Sequence, residues 1–313
     1  MVRLSNAIEN VINEARMLLL GGQVLLGFSY RICFEARFEQ LPSSARLAEI
    51  VGLGIITASL GWLIWPAAFH QINEKGHASA AIHALTTTVL DWGLFPLAAG
   101  LSLTIYPVLV GLRIPRALLI AVAVGAFALT LWYGWSWMVG EPGKRKRVQL
   151  NLVEQEKQRQ GEERPDISDR IKKVLLECRM ALPGAQAFLG FQFAIVFAQG
   201  FERIPRWWQL IHFISLLATT ISIVLLIAPA AYHRLAEAGE DTEHFQVVAS
   251  RFLLAALVFL GPGMAGDLFL VIAKVTGSAT EAGFASGLLL LTFYGLWFGV
   301  SAWRRDSSGH RAG

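Results

Sequence analysis

An acid, a guanidinium and an imidazole recur together twice in this sequence. Glu14, Arg16 and His70 make the first set; Glu177, Arg179 and His233 make the second, each reached by a shift of 163 in the numbering. Histidine titrates near neutral pH, so such a trio at one depth could act as a proton-linked gate. The same groups also suit a hydrogen-bonded clasp, because polar side chains inside a membrane are costly unless partnered. Both readings require His70 to lie beside Glu14 or Arg16. Positions 16, 23 and 27 fall on one helical stripe and hold Arg16, Gln23 and Gly27; the second copy repeats it with Arg179, Gln186 and Gly190. That stripe is expected to face inward, with the glycine admitting a neighbouring backbone.

Two further carboxylates lie in apolar surroundings. Asp267 follows Gly261-Pro262-Gly263, which could break the helix beside it. A mid-span carboxylate is a functional candidate by default, the alternative being a structural partner such as Arg251, Lys274 or a serine. Asp91 follows Thr86-Thr87-Thr88 near a helix end and reads as a satisfied structural group. The set His70, His77, His83, His212, His233 and His244 contains no metal or haem spacing, so no metal and no cofactor is expected. No Walker loop and no nucleophile–base arrangement stands out, so the chain is not expected to be an enzyme.

These residues are carried by apolar elements. Of 313 residues 54% are hydrophobic and 16% charged, with a mean hydropathy of +0.50. Seventeen of the 50 charges fall between Glu141 and Lys173, which leaves too few to solvate a soluble globule. Runs long enough to span a bilayer occur at 15–34, 47–68, 84–111, 117–139, 174–198, 208–231, 252–275 and 282–303. The expected fold is therefore all-α: eight transmembrane helices in two sets of four. The divisions are a first repeat at 1–140, a charged linker at 141–173, and a second repeat with a polar tail at 174–313. The stretch 148–163 reads as a solvated helix of that linker. The charged start of the chain, Met1 to Glu14, has no apolar core and is not expected to act as a cleavable signal peptide. Cys33 and Cys178 fall at opposite faces, so no internal disulfide is expected.

The two sets are copies. Between positions 14 and 76, a shift of 163 gives 26 identities in 63 ungapped positions. Four spans per copy bring both copies in from the same side, so the repeats should be parallel, related by a pseudo-twofold axis along the membrane normal. Ten Lys/Arg in the linker place it, with both termini, in the cytoplasm by the positive-inside rule.

The motif Glu14-x-Arg16, Gly22-Gln23, Arg37-Phe38 and Ile64-x-Pro66-x-Ala68-Phe69-His70 resembles an uncharacterised bacterial four-span integral-membrane family, a domain of unknown function. The second copy matches through Ile227-Ala228-Pro229-Ala230-Ala231-Tyr232-His233-Arg234. Members are sometimes labelled sodium:proton antiporter. The resemblance implies a bacterial inner-membrane location and a fused dimer of a single-repeat unit, acting as a monomer or homo-oligomer. Gly200 stands where the first copy has Arg37.

Three functions follow as expectations. The first is a small-ion or proton-linked transporter or channel, using the polar stripe, the rim trios and Asp267. The second is a non-transporting scaffold or sensor that binds a partner through the linker. A membrane redox or lipid enzyme has almost no support. A wet cavity joining Gln23, Gln186 and Asp267 would favour transport, and a dry bundle the scaffold. The lipid bilayer is the expected partner, with anionic lipid at Lys144–Arg147. The small net charge of +4 gives no case for nucleic acid.

Overall fold

The computed structural model describes residues 4–134, 138, 143–159, 167–237 and 240–309. Among the described residues the chain is helical, with no strand. The first half holds α1 (Leu4–Ile32), the short α2 (Ala36–Glu39), α3 (Ser43–Asn73), α4 (Ala80–Gly111) and α5 (Ala117–Leu129), which continues as a π-helical turn over Thr130–Gly134. The linker contributes α6 (Lys144–Arg159). The second half holds α7 (Ile167–Val196), α8 (Arg206–Leu235), α9 (Glu243–Thr276) and α10 (Ala279–Tyr294), which runs through a π-helical segment, Gly295–Val300, into α11 (Ser301–Gly309).

Seven of these helices are long and apolar enough to cross a membrane: those beginning at Leu4, Ser43, Ala80, Ala117, Arg206, Glu243 and Ala279. The eighth expected span, α7, is a continuous helix of 30 residues but does not reach the same apolarity. Arg179, Gln186 and Gln192 interrupt its apolar run. Large apolar side chains stay exposed on outer faces, among them Leu118, Leu119, Val122 and Phe127 of α5 and Phe213, Ile214 and Val224 of α8. Such contiguous apolar surface suits contact with lipid.

The duplication is visible in the element boundaries. The starts of α1, α3 and α4 fall on those of α7, α8 and α9 under the same shift of 163. Pro42 and Pro205 precede the second helices of the copies. Ser79 caps α4 by accepting from the Ile82 N–H, and Thr242 caps α9 by accepting from the Phe245 N–H. In each half the second long helix packs on the first and third, and the third on the first and fourth. The halves meet chiefly through α1 against α7. There Gln23 lies over the bare backbone of Gly184, and Phe191 over Gly27, leaving no room for a Cβ at either glycine. A further contact joins the halves: Trp297 is fully buried and its indole N–H donates to the Gly61 carbonyl at 2.8 Å.

Two expectations are corrected. Gly261-Pro262-Gly263 does not break α9, which runs unbroken past it. Its glycines instead allow close packing, Gly263 against Thr219 and Gly261 against Leu290 and Tyr294. The linker helix is not simply solvated: Leu152 is buried in the core, and α6 is tied to the ends of two spans. Gln155 accepts from the Leu4 N–H at 3.2 Å, Glu156 accepts from the Ala80 N–H at 2.9 Å, and the Gln149 amide donates to the Ala80 carbonyl at 2.9 Å. Helix N-termini leave such N–H groups without intrahelical partners, and α6 supplies them. The Lys144–Arg147 turn remains exposed. The rest of the expected linker helix, residues 160–163, lies outside the described residues. Both cysteines are buried free thiols.

Candidate functional site

Two buried histidine–carboxylate pairs stand out, one towards each end of the bundle. The first joins the two copies. His70 sits three residues before the end of α3, and its Nδ1 is hydrogen-bonded to Glu177 of α7. The Gln71 amide donates to the other oxygen of the same carboxylate. His70 Nε2 meets the carbonyl of His77 at 3.0 Å. A polar chain extends from there: Ser250 donates to Gln71 Oε1 at 2.6 Å, the Gln246 amide donates to Ser250 at 3.1 Å, and Arg170 donates to Gln246 Oε1 at 2.8 Å.

The second pair lies within the second copy. His212 of α8 meets Asp267 of α9 through Nδ1 at 3.0 Å and the Gln192 carbonyl through Nε2 at 3.1 Å. The Gln192 amide of α7 donates to the other Asp267 oxygen at 2.8 Å. Asp267 and His212 are each 1% exposed, and Gln192 is fully buried. The ring edge of Phe201 closes over His212, with centroids 5.2 Å apart. Gln192 is four residues from the end of α7 and His212 six from the start of α8, so the site lies towards the α7–α8 turn, with Asp267 nine residues from the end of α9.

The two sites share one design: imidazole on one carboxylate oxygen, glutamine amide on the other, and the second ring nitrogen on a backbone carbonyl. A carbonyl only accepts, so Nε2 carries a proton in both sites. The Nδ1–carboxylate contact then holds one more, on nitrogen as an ion pair or on oxygen as a neutral acid. Each pair is thus a buried place where a proton can sit on either partner. From Glu177 to Gln192 the axis of α7 rises about 22 Å. Between them the α1–α7 interface buries Gln23, whose side-chain oxygen has no partner, and Tyr30, whose hydroxyl is 3.3 Å from that of Thr57.

The trios drawn from sequence are not formed within one copy. His70 takes its acid from the other copy, and neither Glu14 nor Arg16 is among its partners. Glu14, Arg16 and Arg179 lie on exposed faces, and His233 pairs with Asp241 at 3.3 Å and packs on Phe245. The inward stripe holds only in part: Gln23 and Gly27 are buried, while Gln186 and Gly190 are exposed. The α1–α7 packing uses different faces of the two first helices, which leaves the second copy's stripe outside. Asp91, eleven residues into α4 and partly exposed, is held by Arg145 of α6. The structural partners expected for Asp267 are also corrected: Lys274 instead pairs with Glu39 at 3.0 Å. Among the described residues, no three of His, Cys, Asp and Glu converge as a metal ion would require.

A model of DUF6328, described as a family of unknown function, matches residues 2–139 and again residues 161–301. The chain belongs to this family. It carries the DUF6328 domain twice in tandem. No curated protein and no solved structure matches it.

The two DUF6328 copies differ where it matters to these sites. The position of His212 is held in the first copy by Glu49, which is fully buried. Glu49 lies beside the hydroxyl of Ser29, the counterpart of Gln192, but neither carboxylate oxygen is held in good hydrogen-bond geometry. The counterpart of Asp267 is Thr104. One copy therefore places an acid where the other places a base. An ionisable residue at matching apolar positions of both copies was the sequence signal for this site. Gly200, in place of Arg37, also gains a reason. Its N–H donates to the Phe34 carbonyl at 3.1 Å, and a Cβ there would come within 2.6 Å of that oxygen.

Proposed function

We propose that this protein is a proton-linked small-ion transporter or channel, built as eight spans in two parallel four-helix repeats about a pseudo-twofold axis. The observation that carries the reading is the Asp267–His212–Gln192 site. A carboxylate and an imidazole sealed in a spanning bundle are expensive to retain, and buried ionisable groups of this kind mark proton relays and ion pathways. The His70–Glu177–Gln71 site towards the other end supports it, as do the buried Glu49 at the matching position of the first copy and Gln23 between the two sites. In this reading the two pairs act as gates that exchange a proton between nitrogen and oxygen as the copies shift against each other. Both termini and α6 face the cytoplasm of a bacterial inner membrane, with Lys144–Arg147 against anionic lipid. The chain works as a fused dimer, with no covalent chemistry.

The alternative is a scaffold or sensor that binds a partner through the linker. The tight α1–α7 packing favours it, whereas the docking of α6 against the ends of α1 and α4 occupies most of the linker helix. Proton flux into liposomes separates the two. The transporter reading requires flux that falls in Asp267→Asn; the scaffold reading requires none.

A further inference from the structure

At the end of the bundle that carries the α1–α3 and α7–α8 turns, a pocket of about 360 Å³ opens between the copies. Its charged lining is Arg46, Arg203, Lys274 and Glu39, three cations against one carboxylate. Its apolar floor includes Ile204 and Trp208. Glu39 bridges two of the cations, Lys274 at 3.0 Å and Arg203 at 3.5 Å. Two donors are left over: the Trp208 indole N–H and the Arg46 Nε–H are both buried without a hydrogen-bond partner. Trp208 is 8% exposed, and the Lys274 side chain 7%.

Buried N–H groups without acceptors are costly, and two of them beside an excess of positive charge call for an acceptor that carries negative charge. The volume falls in the range of small-ligand sites. The pocket is not a generic basic rim. Under the shift of 163 the positions of Arg46, Arg203, Lys274 and Trp208 correspond to Gln209, Gln40, Gly111 and Ala45, so the feature is built once.

We infer that this pocket binds a phosphate oxyanion, with Arg46 and Trp208 donating to its oxygens, Lys274 and Arg203 supplying charge, and the tryptophan face and Ile204 holding any apolar body attached to it. A phospholipid headgroup and a soluble phosphate share this chemistry. The site is independent of the proton-linked reading.

The test uses the full chain purified in detergent. One arm adds phosphatidylglycerol or phosphatidylcholine and counts bound lipid by native mass spectrometry. The other titrates inorganic phosphate against chloride in delipidated protein by thermal shift. We expect saturable binding of one phosphatidylglycerol over phosphatidylcholine, of phosphate over chloride, or of both. The first alone identifies a headgroup site, the second a free-anion site, and each supports the inference. Arg46→Gln with Arg203→Gln should weaken binding at least tenfold, and Trp208→Phe, which removes only the N–H, a few fold. No selective binding in either arm overturns the inference. So does unchanged binding in Trp208→Phe, which decides the matter should the double variant fail to fold.

Discussion

Glu49 and His212 occupy the same position of the two copies, and both are buried; the imidazole has two partners and the carboxylate has none in good hydrogen-bond geometry. The copies have thus diverged to opposite charge type at one point of a shared framework. A buried carboxylate without well-placed donors is costly, and removing one member of a satisfied buried network leaves its partners uncompensated. Glu49→Gln is therefore expected to raise the melting temperature in detergent. Asp267→Asn, which costs an acceptor to an imidazole and to an amide, is expected to lower it. Equal and same-signed shifts would count against this assignment of partners.

The His70–Glu177 pair is expected to be the main polar tie between the copies. Removing one member of a buried pair leaves the other uncompensated, at about 3–5 kcal/mol. His70→Gln and Glu177→Gln should each approach that loss, and the double variant should lose much less than their sum. His233→Gln, in a half-exposed pair with Asp241, should cost within about 1 kcal/mol. Chemical unfolding of the four variants reads the asymmetry directly.

Helix packing at the α1–α7 interface makes a paired prediction. A Cβ at Gly184 would fall 1.2 Å from the Gln23 side-chain oxygen, while Gly190 on the same helix has open space. Gly184→Ala should destabilise by about 1–3 kcal/mol through overpacking. Gly190→Ala should be neutral, or gain up to about 1 kcal/mol of helix propensity. Melting of the two variants side by side checks the contrast.

Much of this was legible in the sequence. The duplication, its register and the apolar runs were readable because two copies constrain each other. The helices overrun those runs because polar turns at their ends carry caps and ties, such as Ser79 and Thr242. Partner choice was not legible. Reading Glu14, Arg16 and His70 as one cluster assumed contact within a copy, but the dominant interface pairs α1 with α7 and hands His70 to Glu177. Asp267 was readable as an isolated charge in an apolar run. Gln192, and the pairing of His212 with Asp267, were not, since only tertiary packing brings three helices to that carboxylate.

The lysine beside Glu39 holds its carboxyl below the usual carboxylate range, with Arg203 and Arg46 adding to the effect. Glu39 binds its proton more weakly folded than unfolded. The pairing therefore stabilises fully above the ordinary value near about 4.3, and is lost as pH falls through the lowered folded value. Lys274→Met is expected to move Glu39 back towards the ordinary range and to flatten the acid limb of the stability curve, as NMR titration and melting below about pH 4.3 would record.

The most direct test of the central claim is proton flux into liposomes under an imposed pH gradient, for the natural chain, Asp267→Asn and His212→Gln, well below their melting temperatures. The account predicts measurable flux in the natural chain and a loss of at least tenfold in both variants. Flux that is absent from the natural chain, or unchanged when Asp267 and His212 are replaced, would contradict it.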